Sequence, residues 1–168
     1  MSATPSETLP LACRRHDHQS CIEGAITTAA KICQAKAVKL TPLRRQVLAL
    51  VWQSHKPLGA YTLIDMLAAA DTRRVAPPTV YRALEFLLEH RLIHRIDSLN
   101  AYIGCPDPGH HHHNYFLICL DCGIAAECPT QYLSPAIEAA ATAAGFAISS
   151  QSVEIVGRCP ACRKHADA

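Results

Sequence analysis

The chain has 168 residues, enough for one domain or two small ones, and 49% of them are hydrophobic against 18% that are charged. This composition is typical of globular proteins and excludes an intrinsically disordered chain. The longest apolar run is shorter than the roughly 18 residues that a membrane span requires, and the first ten residues lack the basic-then-apolar order of a signal peptide. We therefore expect a protein of the cytoplasm, without a membrane partner and made of two small domains.

Charge is distributed unevenly along the chain. Residues 1–105 contain 13 Lys and Arg against 8 Asp and Glu, whereas residues 106–168 contain 3 against 6. A basic half beside an acidic half indicates that the first part meets a polyanion and that the second part has another role. The excess of basic over acidic residues in the first part is small, so a polyanion partner must be supported by sequence motifs as well.

The first half of the chain predicts an arm followed by helices. Residues 1–20 contain scattered prolines and no hydrophobic period, and we predict a flexible N-terminal arm there. Apolar residues at helical spacing then predict helices over 22–38, from Thr41 to about residue 54, and over 61–68. Thr41 is a favourable N-cap residue, and the proline after it fits a first helical turn.

A fourth helix and a hairpin complete this half. Two prolines precede Thr79, and the helix that they begin is predicted to run to about residue 90. Its apolar residues lie on one side, and charged residues such as Arg82 lie on the other. Strand-like runs over 92–96 and 101–103 are joined by a turn-rich segment. Helices followed by a hairpin predict a winged helix-turn-helix domain over residues 21–105.

The rest of the chain predicts a second, smaller domain over residues 111–168. The Pro-Asp-Pro-Gly run that precedes it is the most turn-rich stretch of the sequence, and we predict a hinge over 106–110. Beyond the hinge, the pattern predicts two strands, an alanine-rich helix ended by glycine, and a longer strand, at 115–120, 124–127, 132–144 and 147–156. The predicted fold class is therefore α+β, an N-terminal winged helix-turn-helix domain followed by a small α/β domain.

Two CxxC pairs in the second domain carry the strongest chemical signal. Cys119 and Cys122 form one pair, Cys159 and Cys162 form the other, and 36 residues separate them. Four thiolates are a set that zinc prefers in closed, tetrahedral sites whose role is structural. A redox pair or buried cysteines would explain one CxxC motif, but two in one small domain favour a structural zinc ion.

A second group of metal-type residues is more dispersed. His94 and Cys105 lie on and just after the predicted hairpin, His112 lies in a run of four histidines, and Glu127 follows the first CxxC pair. Two imidazoles, a thiolate and a carboxylate suit zinc. Their spacing does not single them out, because His94 can also be a hydrogen-bonded strand residue and Glu127 a solvated carboxylate.

The fourth helix presents candidate DNA-binding residues. Thr79, Tyr81 and Arg82 lie at its start, away from its apolar side. In a winged helix-turn-helix this helix would enter the major groove, where arginine can bond two acceptors of guanine and tyrosine can contact a phosphate or a thymine methyl. The alternative is an ordinary solvent-exposed helix.

Several of these stretches together resemble the ferric uptake regulator family. The resemblance is carried by Leu40-Thr41-Pro42-Leu43-Arg44, by Pro78-Thr79-Val80-Tyr81-Arg82-Ala83-Leu84 and by the two CxxC pairs, and it runs from about residue 21 to residue 162. The double proline before Thr79, Ile93-His94-Arg95, Tyr102-Ile103-Gly104-Cys105 and Glu127-Cys128 look most like its zinc uptake regulator branch. The resemblance implies a zinc-responsive repressor of zinc-uptake genes that binds palindromic double-stranded operator DNA as a homodimer through a C-terminal dimerisation domain.

The resemblance also implies roles for the candidate residues. Tyr81 and Arg82 correspond to DNA-contacting residues of the family, and Thr79 lies beside them at the start of the same helix. At least two zinc ions per chain are implied, one structural at Cys119, Cys122, Cys159 and Cys162, and one regulatory at His94, Cys105, His112 and Glu127. His112 stands seven residues before Cys119, as the branch pattern implies, although another of residues 110–113 can take its place.

Other cysteines and histidines fall outside these two sets. Cys13, His16, His18 and Cys21 belong to an extension beyond the family core; they include enough ligand types for another metal, but we expect a disordered tail there. Cys33 and Cys128 are expected to be packing residues.

Three other functions are compatible with parts of this pattern. An iron- or peroxide-sensing member of the same family would differ in metal preference, and the cysteine of the regulatory set favours zinc. A zinc hydrolase with Glu127 as general base would need an open coordination position, which four protein ligands do not leave, so we do not expect an enzyme. A zinc-stabilised interaction module would lack DNA binding altogether.

Overall fold

A computed structural model describes residues 17–70, 75–109, 114–128, 131 and 133–166. These residues form two compact units, with the division between residues 110 and 111. Most of the predicted N-terminal arm and all four histidines of residues 110–113 lie outside the described residues. The α+β fold class is confirmed, with helices dominating the first unit and a mixed sheet organising the second.

The first unit has the element order of a winged helix. Its helices and strands are α1 (His18–Ala35), α2 (Pro42–Val51), β1 (Leu58–Gly59), α3 (Ala60–Ala70), α4 (Pro77–Glu89), β2 (Ile93–Ile96) and β3 (Ala101–Gly104). The three strands form an antiparallel sheet in the order β1-β3-β2, in which β2 and β3 are the predicted hairpin. The prediction missed β1, because a strand of two residues has no period of its own and exists only by pairing with β3.

Helix boundaries in this unit follow from their caps. The side chain of Asp17 accepts a hydrogen bond from the backbone N–H of Gln19 at 3.0 Å, so α1 begins four residues before the predicted start and takes residues 18–20 from the predicted arm. It ends at Ala35, three residues early, because Ala37 has a left-handed φ of 53°. Thr41 caps α2 as predicted, with its hydroxyl oxygen accepting from Arg44 N–H.

The core of the first unit lies between α2, α3 and α4. The buried faces of these helices contribute large aliphatic side chains at helical spacing, Val47, Leu48, Val51, Leu63, Leu67, Val80, Leu84 and Leu87. From α1, Cys33 reaches the same core and is buried, as predicted for a packing residue. The opposite face of α4 is thereby left outside the core.

The second unit is built on a three-stranded sheet. Its elements are β4 (Asn114–Cys119), β5 (Ala125–Glu127), α5 (Ser134–Ala143), β6 (Ser152–Gly157) and α6 (Pro160–Ala166), and its strand order is β5-β4-β6. β4 pairs antiparallel with β5 and parallel with β6. The predicted strand over 147–156 is too long, since only its last part pairs with β4. The prediction also missed α6, whose seven residues are too few to display an apolar period.

The buried residues of this second unit lie on β4 and β5 in the part of the chain that the structure describes. Tyr115 and Phe116 are almost completely buried, whereas α5 has no buried residue in the single chain. Among the described residues, no helix combines the length and apolar character needed to cross a membrane.

Candidate metal centres and nucleic-acid interface

The parallel pairing of β4 with β6 brings the two CxxC pairs together. Because parallel strands end at the same edge of a sheet, Cys119 at the end of β4 stands opposite Gly157 at the end of β6. Cys119 ends β4 itself, and Cys159 follows the end of β6 by two residues, just before α6. The link between the loops includes the backbone N–H of Leu120, which donates to the carbonyl of Gly157 at 2.8 Å.

The four sulfur atoms lie close enough together to be ligands of one metal ion. The Sγ atoms of Cys119, Cys122, Cys159 and Cys162 all lie within 4.8 Å of one another. The Cys122 and Cys159 sulfurs are 3.8 Å apart. A tetrahedron with Zn–S bonds of about 2.3 Å has edges of about 3.8 Å, whereas a disulfide would require about 2.05 Å. The geometry therefore fits a four-coordinate zinc ion.

The surroundings of these thiols also favour a bound cation. Backbone N–H groups of Cys122 and Cys159 point at the Cys119 sulfur, the latter at 3.3 Å, and lower the pKa of Cys119 to about 6. The neighbouring Cys159 sulfur, together with burial, raises the pKa of Cys162 to about 12. Ionisation is thus favoured at Cys119 and opposed at Cys162, and the positive charge of a bound divalent ion would favour the ionised form of both.

Two residues of the dispersed set come together within the first unit. His94 lies on β2 opposite Ile103 of β3, and Cys105 follows the last residue of β3. A ring nitrogen of His94 lies within 4.8 Å of the Cys105 sulfur. Their exposed fractions are only 6% and 2%, so a histidine and a thiol meet where little water reaches them. Such a pair is a partial ligand set for a transition metal.

Of the other two residues of that set, only Glu127 lies in the described part of the second unit. Glu127 is the half-buried last residue of β5, paired with Phe116 of β4. His112 lies outside the described residues, and so do the three other histidines of that run. Of the arm residues named as spare ligands, Cys21 lies on α1 and packs against the core.

The candidate DNA-binding residues lie together on the outer face of α4. Thr79, Tyr81 and Arg82 are all exposed, and Tyr81 has an exposed fraction of 38%. Val80, Ala83, Leu84 and Leu87 are buried on the opposite face of the helix. The predicted division of this helix into a packed side and an outward side is therefore present.

Two features of the sites were missed by sequence reasoning. Arg158 forms an ion pair with Asp121 at 3.1 Å, which links the loops that carry the two CxxC pairs. Tyr61, the first residue of the predicted third helix, lies on α3 but is 74% exposed and outside the core. Arg158 and Asp121 are next to cysteines of the CxxC pairs in the sequence, and this was a signal for the ion pair. No feature of the sequence distinguished Tyr61 from its apolar neighbours.

Comparison with known proteins identifies the family. The model of the ferric uptake regulator family matches residues 35–156, which is most of the chain. The chain belongs to the ferric uptake regulator family. This confirms the resemblance and the prediction that the protein is a regulator rather than an enzyme.

Relatives and solved structures place this member near zinc regulators. The "Zinc uptake regulation protein" of Escherichia coli (strain K12) is 37% identical over 140 residues, covering 82% of this chain and 80% of the relative. A structure described as "Zinc Uptake Regulator Complexed With Zinc AND DNA" has a TM-score of 0.79 and 33% identity over 92% of this chain and all of that one. The holo form of XcZur has a TM-score of 0.73 and 37% identity, covering 83% of this chain and 96% of that one.

Proposed function

We propose that the chain is a zinc-responsive transcriptional repressor that binds palindromic operator DNA and represses zinc-uptake genes when its regulatory site is loaded. The observation that carries the proposal is the likeness over 92% of the chain to a regulator solved with zinc and DNA. The outward face of α4 and the four-sulfur cluster support it independently. A DNA partner requires the compartment that contains the genome, and free thiols as ligands favour a reducing compartment, so the proposed location is the cytoplasm.

The four cysteines are proposed to hold a structural zinc ion. All four coordination positions come from protein sulfur, so no position is left for a substrate or a water nucleophile. Its role is to join the ends of β4 and β6. Because the second unit has a small core, this link supplies folding free energy that apolar burial alone does not.

A second zinc ion is proposed to bind at a regulatory site formed by His94, Cys105, His112 and Glu127. The proximity and burial of His94 and Cys105 within the first unit support half of this set. The cysteine favours zinc over iron, which distinguishes this proposal from an iron- or peroxide-sensing relative. The chain would then hold two zinc ions, one structural and one regulatory.

The proposed ligands suggest how zinc would control DNA binding. His94 and Cys105 come from the unit that carries α4, and Glu127 comes from the second unit. By its position in the sequence, His112 follows the predicted hinge at 106–110. A metal that requires all four ligands restricts the orientations that the hinge allows. A dimer must present two recognition helices at a fixed spacing, so this restriction favours the DNA-bound state.

Dimerisation is proposed to use the apolar surface of the second unit. In one chain this unit exposes large hydrophobic side chains, Leu117, Phe146, Ile148, Ile155 and Val156, with Phe146 77% exposed. Apolar side chains left uncovered in this way, on β4, on β6 and on the segment before β6, are suited to burial by a second copy. A homodimer would also match a palindromic operator through its twofold symmetry.

The proposal is tested by zinc content and operator binding measured before and after mild chelation. We expect mild chelation to lower the zinc content from two ions per chain to one. Operator binding should be lost, and the circular dichroism spectrum should not change. Reloading with zinc should restore binding better than reloading with iron. Unchanged DNA affinity after loss of one zinc ion would contradict zinc control, and a preference for iron would favour the iron-sensing alternative.

Arg82→Ala tests the DNA-binding face. Arg82 is exposed on α4 and is proposed to bond a guanine edge, so its loss should weaken operator binding by about 1 to 3 kcal/mol. Fluorescence anisotropy with a labelled operator measures the effect at fixed salt. Lys164→Ala removes an equal charge from α6 in the second unit and serves as the control. Equal losses in the two variants would mean that general charge, and not α4, determines affinity.

A further inference from the structure

Trp52 occupies the space that a side chain at position 104 would need. It follows α2 directly and is 7% exposed. A β-carbon built on Gly104 would lie 2.7 Å from Trp52 Cδ2 and closer still to Cε2 and Nε1 of the same ring. Real β-carbons do not approach other atoms so closely, so no other residue fits at position 104 while the indole stays in place.

Glycine at this position is required by packing and not by backbone conformation. Gly104 lies outside the left-handed φ region and pairs with Ile93 in a regular antiparallel ladder, so a residue with a side chain could adopt its backbone angles. The obstacle is one buried indole ring. Trp52 and Gly104 are therefore complementary and define one contact.

This contact lies next to a proposed ligand of the regulatory zinc. Gly104 is the last residue of β3, and Cys105 follows it with its N–H donating to the carbonyl of Leu92 at 3.2 Å. His94 pairs with Ile103, the residue before Gly104. The indole therefore packs against Gly104. Gly104 lies in the chain between Ile103, which pairs with His94, and Cys105, which carries the thiol.

We infer that Trp52 is a positioning residue for the regulatory zinc site and that, by packing on Gly104, it holds the Cys105 sulfur near His94. The inference rests on the proposed function of His94 and Cys105 as zinc ligands. Residues that orient metal ligands change affinity without touching the ion. A second consequence is that Trp52, the chain's single tryptophan, is an intrinsic fluorescent reporter of that site.

The ring is well suited to this role because its own position is restricted. His55 meets it edge-on, with ring centroids 6.3 Å apart. Among the described residues, Trp52 Nε1 has no hydrogen-bond acceptor, so packing and not a hydrogen bond fixes the ring. A rigid bicyclic side chain held by packing limits the movement of the strand end beneath it.

A double-mutant cycle in the full-length protein tests the inference. We expect Gly104→Ala alone to weaken zinc binding at the regulatory site by about 10- to 100-fold, because its methyl group displaces the indole. Trp52→Ala should weaken it over a similar range. In the double variant the new methyl group enters vacated space, so Gly104→Ala should cause no further loss. Competition with a chromophoric zinc chelator measures the affinity, with the structural zinc counted in parallel.

A matched variant separates positioning from general stability. Leu48→Ala truncates a buried core residue of α2, the helix that Trp52 follows, and should lower the melting temperature without changing zinc affinity at the regulatory site. If Leu48→Ala weakens zinc binding as much as Trp52→Ala does, Trp52 has only a structural role and the inference is overturned. Additive losses in the cycle would overturn it as well.

Fluorescence distinguishes failure of the inference from failure of the proposed function. Zinc is added to protein that retains only its structural ion, and emission from Trp52 is followed together with operator binding. We expect emission to change with the second equivalent of zinc in the wild type. If the second zinc binds and DNA binding follows without any change in emission, the reporter role is wrong. If no second zinc binds, the proposed function itself is wrong.

Discussion

Replacing Cys105 by serine is expected to abolish zinc-dependent operator binding while leaving a folded dimer that keeps its structural zinc. The Cys105 thiol is buried within 4.8 Å of a His94 nitrogen, and serine replaces it with a hydroxyl that is a poor zinc ligand. The substitution changes volume little and leaves the core of α2, α3 and α4 untouched. Stability should therefore change much less than metal affinity.

The size of this effect follows from coupling between the two sites. Linkage between an effector and a ligand is typically about 1 to 3 kcal/mol, or about 5- to 150-fold in affinity. We expect the variant to bind operator with the low affinity of the zinc-depleted wild type, whether or not zinc is added. Anisotropy titrations with and without zinc measure the difference, and sedimentation reports the dimer.

Cys33→Ser is the control for loss of a buried thiol. Cys33 lies in the core of the same unit, 2% exposed and outside both ligand sets. This variant should lose some stability but keep its response to zinc. An unfolded Cys105 variant, or one that still responds to zinc, would refute the separation of regulatory and structural roles.

The sequence predicts best the parts of the fold that are determined locally. The apolar period of α4, its proline start and the turn-rich segment between the hairpin strands lie within short windows, and each structure formed close to its predicted bounds. The CxxC pairs are equally local, since each supplies two ligands within one turn. Thr41 capped α2 for the same reason, because its hydroxyl bonds an N–H three residues along the chain.

What the sequence could not predict depends on contacts between distant residues. The parallel pairing of β4 with β6 aligns Cys119 with Gly157, and no pattern within either strand specifies that partner. β1 requires β3, and α6 begins in the loop that carries Cys159. The fit of Trp52 on Gly104 joins residues 52 positions apart. His94 and Cys105 could be named only through the family resemblance, because their proximity is a consequence of the hairpin register.

Replacing Cys159 by serine is expected to unfold the second unit and dissociate the dimer while the first unit stays folded. Cys159 connects the two CxxC loops, through its sulfur 3.8 Å from Cys122 and its N–H on the Cys119 sulfur. Structural zinc sites contribute about 10 to 16 kcal/mol of apparent binding free energy in small domains. A second unit whose helix α5 buries no residue in the single chain has little else to replace that contribution.

Zinc content, thermal unfolding and sedimentation together measure the consequence of Cys159→Ser. We expect loss of the structural zinc, a separate transition at lower temperature and a monomeric first unit with its own cooperative unfolding, since that unit has an independent core. Cys128→Ser, which removes a half-buried thiol of the same unit from outside the ligand set, should leave all three unchanged. A Cys159→Ser variant that retains its dimer and melting temperature would mean that apolar contact between chains, and not the metal, holds the second unit together. In that case the four-sulfur cluster would be dispensable for folding, and regulation would have to be sought in the His94 and Cys105 pair alone.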